Sequence, residues 1–415
     1  MGMQLLMFTH DYPKDCGDTA FVSTEIDSLC EKFDKVIVFC TSASNGKEIN
    51  TPNNCVVYYS IPYRKIRRLI STVFSKYFLK NLGYLVEEIK DIKSEKRNIS
   101  CLKEVLHFFL RACNYSKRIE QIINKEGHPD VIYSFWSDSE VLASIICEKN
   151  TPICTRVHGY DLYEERRKSL HQPFKKVVDR RISTVFFISQ QGLNYYKRKY
   201  ATKGNANYIL SYLGAKSRNK TYTKYPINNI IRIVSISDVI PLKRVDMIID
   251  ALSLLDKDIH VHWTHIGDGP EFDNIKSLAN KSLSTKDNIS FEFVGNISHE
   301  NVLDFLESNM FHIFINTSSS EGVPVSMMEA LSNSIPIIGN DIGGVREIVD
   351  ETTGILLPAT STSKEYSEAI VRIAKMSAES YDTLRQGAFI KWNNSFNAED
   401  NNSFFTNELF KMKRV

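Results

Sequence analysis

Short apolar runs alternate with helical patterns along this chain, and the alternation occurs twice. Strands that alternate with helices form parallel sheets covered by helices on both faces. The sequence therefore predicts two doubly wound α/β domains in tandem. The predicted strands of the first half are 4–9, 36–41, 56–60, 131–136, 153–158, 184–189 and 208–213. Those of the second half are 231–236, 259–266, 289–294, 312–316, 335–338 and 355–357.

A polar stretch rich in Lys, Asn and Tyr separates the two halves and predicts a linker over 214–229. We expect an N-terminal acceptor-binding domain over 1–213 and a C-terminal nucleotide-sugar domain over 230–387. A tail over 388–415 is expected to cross back to the first domain. Doubly wound domains bind ligands outside the carboxyl ends of their strands, so a cleft between the domains is the expected site.

Composition excludes several classes of protein. The 415 residues carry 52 Lys and Arg against 49 Asp and Glu, a net charge of +3, which is too small to indicate a nucleic-acid partner. No apolar stretch reaches the roughly 18 residues of a transmembrane helix, and the N-terminus lacks the features of a signal peptide. The eight cysteines form no C-x-x-C pair, so we expect free thiols in a cytoplasmic protein.

One basic region, 63–118, is predicted to be a helical insertion. It contains 14 Lys and Arg against 5 Asp and Glu, a net charge of 14 − 5 = +9, with large apolar residues among the charges. Two interpretations stay open from the sequence. The insertion packs on its own domain and presents a solvated basic face, or it docks on an anionic membrane or a lipid diphosphate.

The strongest motif lies between a predicted strand and a predicted helix. Gly322 lets the backbone approach a ligand closely, and Pro324 suits the first helical turn. The free amides near Val325 and Ser326 form an anion or hydroxyl site at the positive end of the helix. Glu321 and Glu329 lie about 12 Å apart if the segment is helical throughout, which matches a sugar-diphosphate-ribose unit. The whole block reads Ser320-Glu321-Gly322-Val323-Pro324-Val325-Ser326-Met327-Met328-Glu329-Ala330.

This Glu-x7-Glu block resembles the retaining GT-B glycosyltransferases of family 4. Further pieces of the family pattern occur in order along nearly the whole chain: Cys16-Gly17-Asp18, Arg156-Val157-His158-Gly159, Pro241-Leu242-Lys243-Arg244, Phe293-Val294-Gly295 and Gly343-Gly344-Val345-Arg346-Glu347. The resemblance implies the GT-B fold, in which two Rossmann-like domains face a central cleft. It also implies transfer of a sugar from a nucleotide-sugar donor with retention of anomeric configuration.

The resemblance implies a role for each matching residue. Glu329 would bind the ribose hydroxyls, and Glu321 would hold the donor sugar near its anomeric centre. Lys243, helped by Arg244, would neutralise the diphosphate leaving group. The backbone of Gly322, Val323, Pro324, Val325 and Ser326 would contact sugar hydroxyls and phosphate, and Gly295 would border the base. Gly17 would let the first loop approach the diphosphate, and His158 would meet the sugar. Glu321, His158 and Lys243 are the predicted catalytic residues.

One position departs from the family pattern. Asp238 stands where members commonly carry an arginine, and Arg244 is the nearest replacement for that charge. The pair Asp256 and Asp258 matches a metal-binding D-x-D, but acidic residues are ordinary in a turn between a helix and a strand. We therefore expect no metal and no cofactor besides the nucleotide-sugar co-substrate.

The sequence predicts a hexosyltransferase-type enzyme of surface polysaccharide biosynthesis, such as lipopolysaccharide or capsule assembly. The expected donor is a UDP- or GDP-linked sugar. The expected acceptor is a lipid-linked saccharide at the inner face of the cytoplasmic membrane, where the protein binds peripherally to the anionic surface. Two alternatives stay open. One is a sugar-nucleotide-binding protein without turnover, and the other is a sugar-nucleotide epimerase on the same fold.

Overall fold

The computed structural model describes residues 2–42, 46–60, 66–95, 100–217, 221, 222, 224, 226 and 229–412, without the side chains of 20, 66–69, 299 and 300. The chain divides into two compact units. The first comprises Met1–Ser211 together with Asn402–Val415, and the second comprises Tyr212–Asn401.

The first unit is built on a parallel sheet whose order is β3-β2-β1-β4-β5-β6-β7 among the described residues. The order reverses between β1 and β4, and such switch points are where doubly wound sheets bind ligands. The seven strands are β1 (Gln4–Thr9), β2 (Lys35–Cys40), β3 (Cys55–Tyr59), β4 (Val131–Ser134), β5 (Ile153–Val157), β6 (Thr184–Phe187) and β7 (Asn207–Leu210).

Helices cover this sheet because its central strands are apolar on both faces. Leu5, Leu6, Met7 and Phe8 of β1 are all buried although their side chains alternate in direction. The helices of the first unit are α1 (Thr19–Lys32), α2 (Ile66–Val73), α3 (Lys76–Lys80), α4 (Leu82–Ser94), α5 (Ser100–Glu126), α6 (Ser139–Cys147), α7 (Lys175–Asp179) and α8 (Gln190–Lys199).

The predicted insertion over 63–118 needs correction because α5 belongs to the core. Val105, Phe109, Ala112 and Ile119 of this helix are completely buried in the main hydrophobic cluster of the first unit. Some of the basic charge is also neutralised locally, since Arg111 Nη2 lies 2.5 Å from Asp138 Oδ1. The helices α2, α3 and α4 form a more peripheral layer, to which the cluster extends through Tyr77 of α3 and Ile92 of α4.

The second unit repeats the architecture, with the order β10-β9-β8-β11-β12-β13 among the described residues and a switch between β8 and β11. Its strands are β8 (Ile230–Ile236), β9 (His260–Ile266), β10 (Ile289–Gly295), β11 (Ile313–Asn316), β12 (Ile337–Asn340) and β13 (Gly354–Leu357). Its helices are α9 (Val245–Ser253), α10 (Phe272–Leu283), α11 (His299–Asn309), α12 (Val325–Ser332), α13 (Val345–Ile348), α14 (Ser363–Ala374) and α15 (Ala378–Lys391). The prediction of two doubly wound parallel sheets is confirmed.

The boundaries of linker and tail differ from those predicted. The units divide after Ser211, and residues of the expected linker belong to the second unit, where Trp392 Nε1 donates to the carbonyl of Ala215 over 2.9 Å. The chain passes from the second unit to the first within the last helix, α16 (Ala398–Lys411). Phe405 then packs in the first unit, with its ring centroid 5.0 Å from that of Tyr133. Residues 218–220, 223, 225, 227 and 228 of the expected linker lie outside the described residues.

Candidate functional site

Two of the predicted catalytic residues meet at the switch point of the second unit. Lys243 follows β8 and Glu321 follows β11, the two strands between which the sheet order reverses. Lys243 Nζ donates to Glu321 Oε1 over 2.7 Å. Asn316 Nδ2 donates to the same carboxylate oxygen over 3.3 Å. The site therefore holds an ordered cation and carboxylate at the edge where a doubly wound sheet binds its ligand.

Hydrogen bonds between the two loops fix this pair. Thr317 Oγ1 lies 2.9 Å from the carbonyl of Lys243 and 2.8 Å from that of Arg244. The backbone N–H of Ser319 donates to the carbonyl of Leu242 over 2.9 Å. These hydrogen bonds join the backbones of the two loops. They therefore fix the position of the Lys243 backbone relative to Glu321.

Gly343 and Gly344, which follow β12, pack against the backbone of the loop that carries Glu321. Gly343 has a φ of +51°, and a Cβ there would lie 2.0 Å from the carbonyl oxygen of Glu321. The N–H of Gly344 donates to the carbonyl of Gly322 over 2.6 Å. Any side chain at position 343 would therefore displace the loop that carries Glu321.

Glu329 lies on α12 and is buried, with 4% of its surface exposed. Burial raises the pKa of this carboxyl to about 8. An acid in such surroundings is largely protonated at neutral pH and gains from a ligand that hydrogen-bonds to it. The helix that carries it begins at Val325, so 321–324 are not helical and the 12 Å estimate does not apply.

Pro324 occupies the N-cap position of α12 and not its first turn, a correction to the sequence prediction. The side chain of Pro324 makes no capping hydrogen bond. The amides of Val325 and Ser326 have no partner within the helix because the first four N–H groups of any α-helix lack one. Gly322, Val325 and Ser326 are half-buried, while Val323 and Pro324 are buried.

Three further predicted residues lie at the same edge of this sheet. Arg244 has a φ of +51° and serves as the N-cap residue of α9 directly after Lys243. Gly295 ends β10 with a φ of +78°, and its carbonyl accepts from the N–H of Gly267 over 2.9 Å. Asp238 is exposed in the loop after β8.

In the first unit, Gly17 lies at the switch between β1 and β4. It has a φ of +57°, and a Cβ there would lie 2.0 Å from Asp11 Oδ2, so the turn requires glycine. The neighbouring Asp18 accepts from the N–H groups of His10, Asp11 and Tyr12 over 2.7–3.0 Å. Trp136 Nε1 donates to Asp18 over 2.9 Å and ties the loop after β4 to the loop after β1. Sequence reasoning left Trp136 out of the site.

His158 follows β5 and is also buried, with 7% of its surface exposed. Its ring packs against Phe135 and Trp136, with centroids 4.7 Å and 4.4 Å away. Its backbone N–H donates to Asp161 Oδ1 over 2.6 Å. Neither ring nitrogen has a hydrogen-bond partner among the described residues, and both are buried. Nδ1 lies 4.0 Å from Asp161 Oδ2, so packing and this carboxylate position the imidazole.

The part of the chain that the structure describes bears on metals and membranes. In that part of the chain, no group of three or more His, Cys, Asp or Glu side chains could hold a metal ion. No helix there is long and apolar enough to cross a bilayer. Asp258 of the D-x-D pair lies 3.4 Å from Lys375 Nζ. That the reaction needs no metal stays a prediction.

Comparison with known proteins bears on both units. Residues 220–390 match the family model described as Glycosyl transferases group 1. Two solved structures cover the chain almost completely: HepE of Anabaena in complex with UDP and glucose, and sucrose-phosphate synthase of Thermosynechococcus elongatus. HepE has a TM-score of 0.65 at 17% identity over 98% of this chain and 99% of its own. The synthase has a TM-score of 0.69 at 14% identity over 99% of this chain and 98% of its own. This chain has the GT-B fold.

The structural likeness confirms the predicted fold class, two Rossmann-like units of the GT-B type. At the level of sequence, an uncharacterized glycosyltransferase of Methanocaldococcus jannaschii is 30% identical over 135 residues, 32% of this chain and 35% of that protein. The chain thus spans about a third of the length of the curated relatives it matches. The region that matches this family model, 220–390, contains Lys243, Glu321 and Glu329.

Proposed function

We propose that this protein is a retaining hexosyltransferase that moves a sugar from a UDP- or GDP-linked donor to a saccharide acceptor. The observation that carries the proposal is the Lys243–Glu321 pair at the β8/β11 switch, next to the uncapped amino end of α12. That constellation provides a cation and backbone N–H groups for a diphosphate, and carboxyls for the hydroxyls of a sugar and a ribose.

The second unit would stabilise the leaving group. Negative charge develops on the diphosphate as the bond to the anomeric carbon breaks, and fixed donors aimed at that charge lower the barrier. Lys243 and the neighbouring Arg244 supply positive charge. The amides of Val325 and Ser326 supply N–H donors at the positive end of the helix dipole.

Glu321 and Glu329 would bind the two ends of the donor, its sugar and its ribose. Glu321 holds Lys243 in the free protein and would exchange part of that contact for a hydroxyl of the donor sugar near the anomeric centre. Glu329, a buried carboxyl, would bind the ribose hydroxyls. Gly295 would border the base. Hydrogen bonds between a buried polar group and a ligand discriminate strongly between ligands.

The first unit would bind the acceptor. On the donor side of this unit, Gly17 in the sharp turn after β1 would let that loop approach the diphosphate, and His158 would meet the donor sugar. We propose that the acceptor attacks from the same face as the departing diphosphate. The expected oxocarbenium-like transition state follows by analogy with glycoside hydrolysis.

A two-stage experiment tests the function. UDP- and GDP-linked sugars are screened by thermal shift, since a true donor at 100 times its dissociation constant stabilises a protein by about 2.7 kcal/mol. The hit is then incubated with and without a lipid-linked saccharide. Transfer supports the proposal, binding without turnover favours a silent binding protein, and epimerisation of the free donor favours an epimerase. The HepE structure contains UDP, so UDP-sugars are screened first.

Turnover is expected to survive a strong chelator. Lys243 and Arg244 would take the place that a divalent cation holds in metal-dependent transferases. The measurement is the initial rate in EDTA, after dialysis against EDTA, and again with added Mg²⁺ or Mn²⁺. A rate that collapses in EDTA and returns with either ion would contradict this view of the leaving group.

We also propose that the peripheral layer of α2, α3 and α4 binds the anionic inner face of the cytoplasmic membrane, where a lipid-linked acceptor would lie. Large apolar side chains on this layer are 38–76% exposed: Ile70, Phe74, Leu79, Leu82 and Val86. Lys80, Lys90 and Lys93 are exposed on the same layer. Apolar residues among cations are typical of a surface that inserts shallowly between anionic headgroups.

Replacing Phe74 and Leu79 together by serine is expected to abolish co-sedimentation with vesicles of phosphatidylglycerol and phosphatidylcholine. The wild type should pellet at low salt and release at high salt, because screening weakens exposed charges. The matched control replaces Leu254 and Ile390, which are 53% and 55% exposed in the second unit. Equal pelleting of both double variants would contradict membrane binding by α2–α4 and favour a layer that only packs on its own unit. The basic region 63–118 includes Arg64 and Lys65, which lie outside the described residues. The side chains of Arg67 and Arg68 lie outside them as well.

A further inference from the structure

A cavity of about 560 Å³ opens at the switch point of the first unit. It lies at the carboxyl ends of β1 and β4, where Thr9 and Ser134 border it. Its volume falls within the range of small-molecule sites, roughly 300–1,000 Å³. Trp136 and Tyr160 add aromatic faces, and Tyr160 is mostly exposed at its mouth. The cavity is thus large enough for a sugar residue and has apolar faces for its C–H groups.

The charged lining of this cavity is predominantly acidic. The carboxyls are Asp11, Asp18, Asp138, Glu140 and Asp161, against the single arginine Arg111 and His10. A phosphate or another anion would meet this excess of negative charge in a confined space. The interior of the cavity therefore disfavours a bound anion and is compatible with a neutral ligand rich in hydroxyl donors.

Most of these carboxyls already serve the fold. Asp18 accepts from three backbone N–H groups and from Trp136. Asp161 accepts from the N–H groups of Ser137 and His158, both over 2.6 Å. Asp138 pairs with Arg111 and lies 3.2 Å from Arg167 Nη2. Three of the five carboxyls, those of Asp18, Asp138 and Asp161, thus have protein partners in the absence of a ligand.

Glu140 differs from its neighbours. It lies in the first turn of α6 and is 7% exposed, and its Oε2 is buried without a hydrogen-bond partner among the described residues. Burial, and then the nearby charge of Asp138, raise the pKa of Glu140 to about 7. A buried carboxyl oxygen without a partner is unfavourable in a native structure, and a hydroxyl donor in the cavity would satisfy it.

We propose that this cavity binds a neutral sugar residue of the acceptor and that Glu140 selects it by accepting a hydrogen bond from a sugar hydroxyl. The proposal rests on the glycosyltransferase function proposed above and adds the chemistry of the acceptor. The aromatic faces of Trp136 and Tyr160 hold the ring, and the acidic lining keeps the charged part of a lipid-linked acceptor outside. Glu140 is a specificity-determining residue in this scheme.

Saturation-transfer NMR with small sugars tests the site without knowledge of the full acceptor. The probes are methyl glycosides of glucose, galactose, mannose, rhamnose and N-acetylglucosamine, with glucose 6-phosphate and methyl glucosaminide as charged counterparts. The variants are Glu140→Leu, which removes the acceptor oxygen, Glu140→Gln, which keeps one, and Tyr160→Ala. The matched control is Glu165→Gln, an exposed carboxyl of the same unit that does not line the cavity.

We expect at least one neutral glycoside to bind, with its signal reduced fivefold or more by Glu140→Leu and by Tyr160→Ala. Glu140→Gln should retain part of the signal, and Glu165→Gln should retain all of it. Binding of none of the neutral glycosides, preference for either charged sugar, or an unchanged signal in Glu140→Leu would each overturn the proposal. Thermal shifts with UDP and GDP on the same variants separate this outcome from failure of the proposed function, because the nucleotide residues lie in the second unit.

Discussion

Replacing Lys243 by alanine is expected to lower the rate of sugar transfer by about a hundred- to thousandfold. Loss of one preorganised donor at a developing anionic charge has an effect of this order in other enzymes. The affinity for the donor should fall much less, because the charge on the diphosphate grows as the bond breaks and the contact strengthens in the transition state. The measurement is kcat and KM with the best donor of the thermal-shift screen.

Loss of Lys243 also removes one of the two donors to Glu321 Oε1 and leaves the hydrogen bond from Asn316. A structural effect must therefore be separated from a catalytic one. Lys243→Arg keeps the charge and should recover part of the rate. Lys257→Ala removes an exposed lysine of the same unit and should leave the rate unchanged. Full activity in a folded Lys243→Ala protein would contradict the assignment of the leaving-group site.

The free energy of unfolding of the second unit is expected to fall as the pH rises, because Glu329 loses its proton. Replacing Glu329 by glutamine is expected to remove this dependence. Burial raises the pKa of Glu329 to about 8 in the folded protein, whereas a carboxyl of an unfolded chain titrates near 4.5. The folded state therefore binds the proton more tightly. The stability that this provides is fully present below about pH 4.5 and is lost as the pH rises through about 8.

At about 1.4 kcal/mol for each unit of difference in pKa, the whole loss is about 5 kcal/mol, of which about 4 kcal/mol falls between pH 5 and pH 9. Unfolding by urea between pH 5 and pH 9 measures it. The wild type should lose free energy of unfolding relative to Glu329→Gln as the pH rises, while Glu368→Gln, which changes an exposed carboxyl of α14, should follow the wild type. Parallel curves for wild type and Glu329→Gln would show that the carboxyl is not held neutral by burial.

The strands were readable from the sequence because a parallel sheet covered on both faces buries nearly every residue of its central strands. The run at 4–9 coincides with Gln4–Thr9, and the other predicted strands lie within a few residues of the observed ones. The Lys243–Glu321 pair follows from the same logic, since both residues lie in the loops that follow strands on either side of a switch point. The motif predicts these two residues as site residues. Their contact could be predicted only with the order of the strands in the sheet.

Other features could not be read from the sequence because they depend on tertiary partners. The charge count over 63–118 cannot tell Arg111, which pairs with the half-buried carboxylate of Asp138, from a lysine in solvent. An apolar repeat in α5, at Val105, Phe109, Ala112 and Ile119, was available as a signal that this helix is core. Nothing local distinguishes Glu140 from any other acidic residue in the first turn of a helix.

The account depends most on the claim that Glu329 binds the ribose of a nucleotide, and a double-mutant cycle tests this directly. UDP or GDP, whichever binds more tightly, is titrated calorimetrically against wild type and Glu329→Ala, and the titrations are repeated with the 2′,3′-dideoxy nucleotide. We predict that removing the hydroxyls weakens binding to the wild type by about tenfold or more, or about 1.4 kcal/mol, and has little effect on Glu329→Ala. An equal loss of affinity in both proteins would contradict the claim.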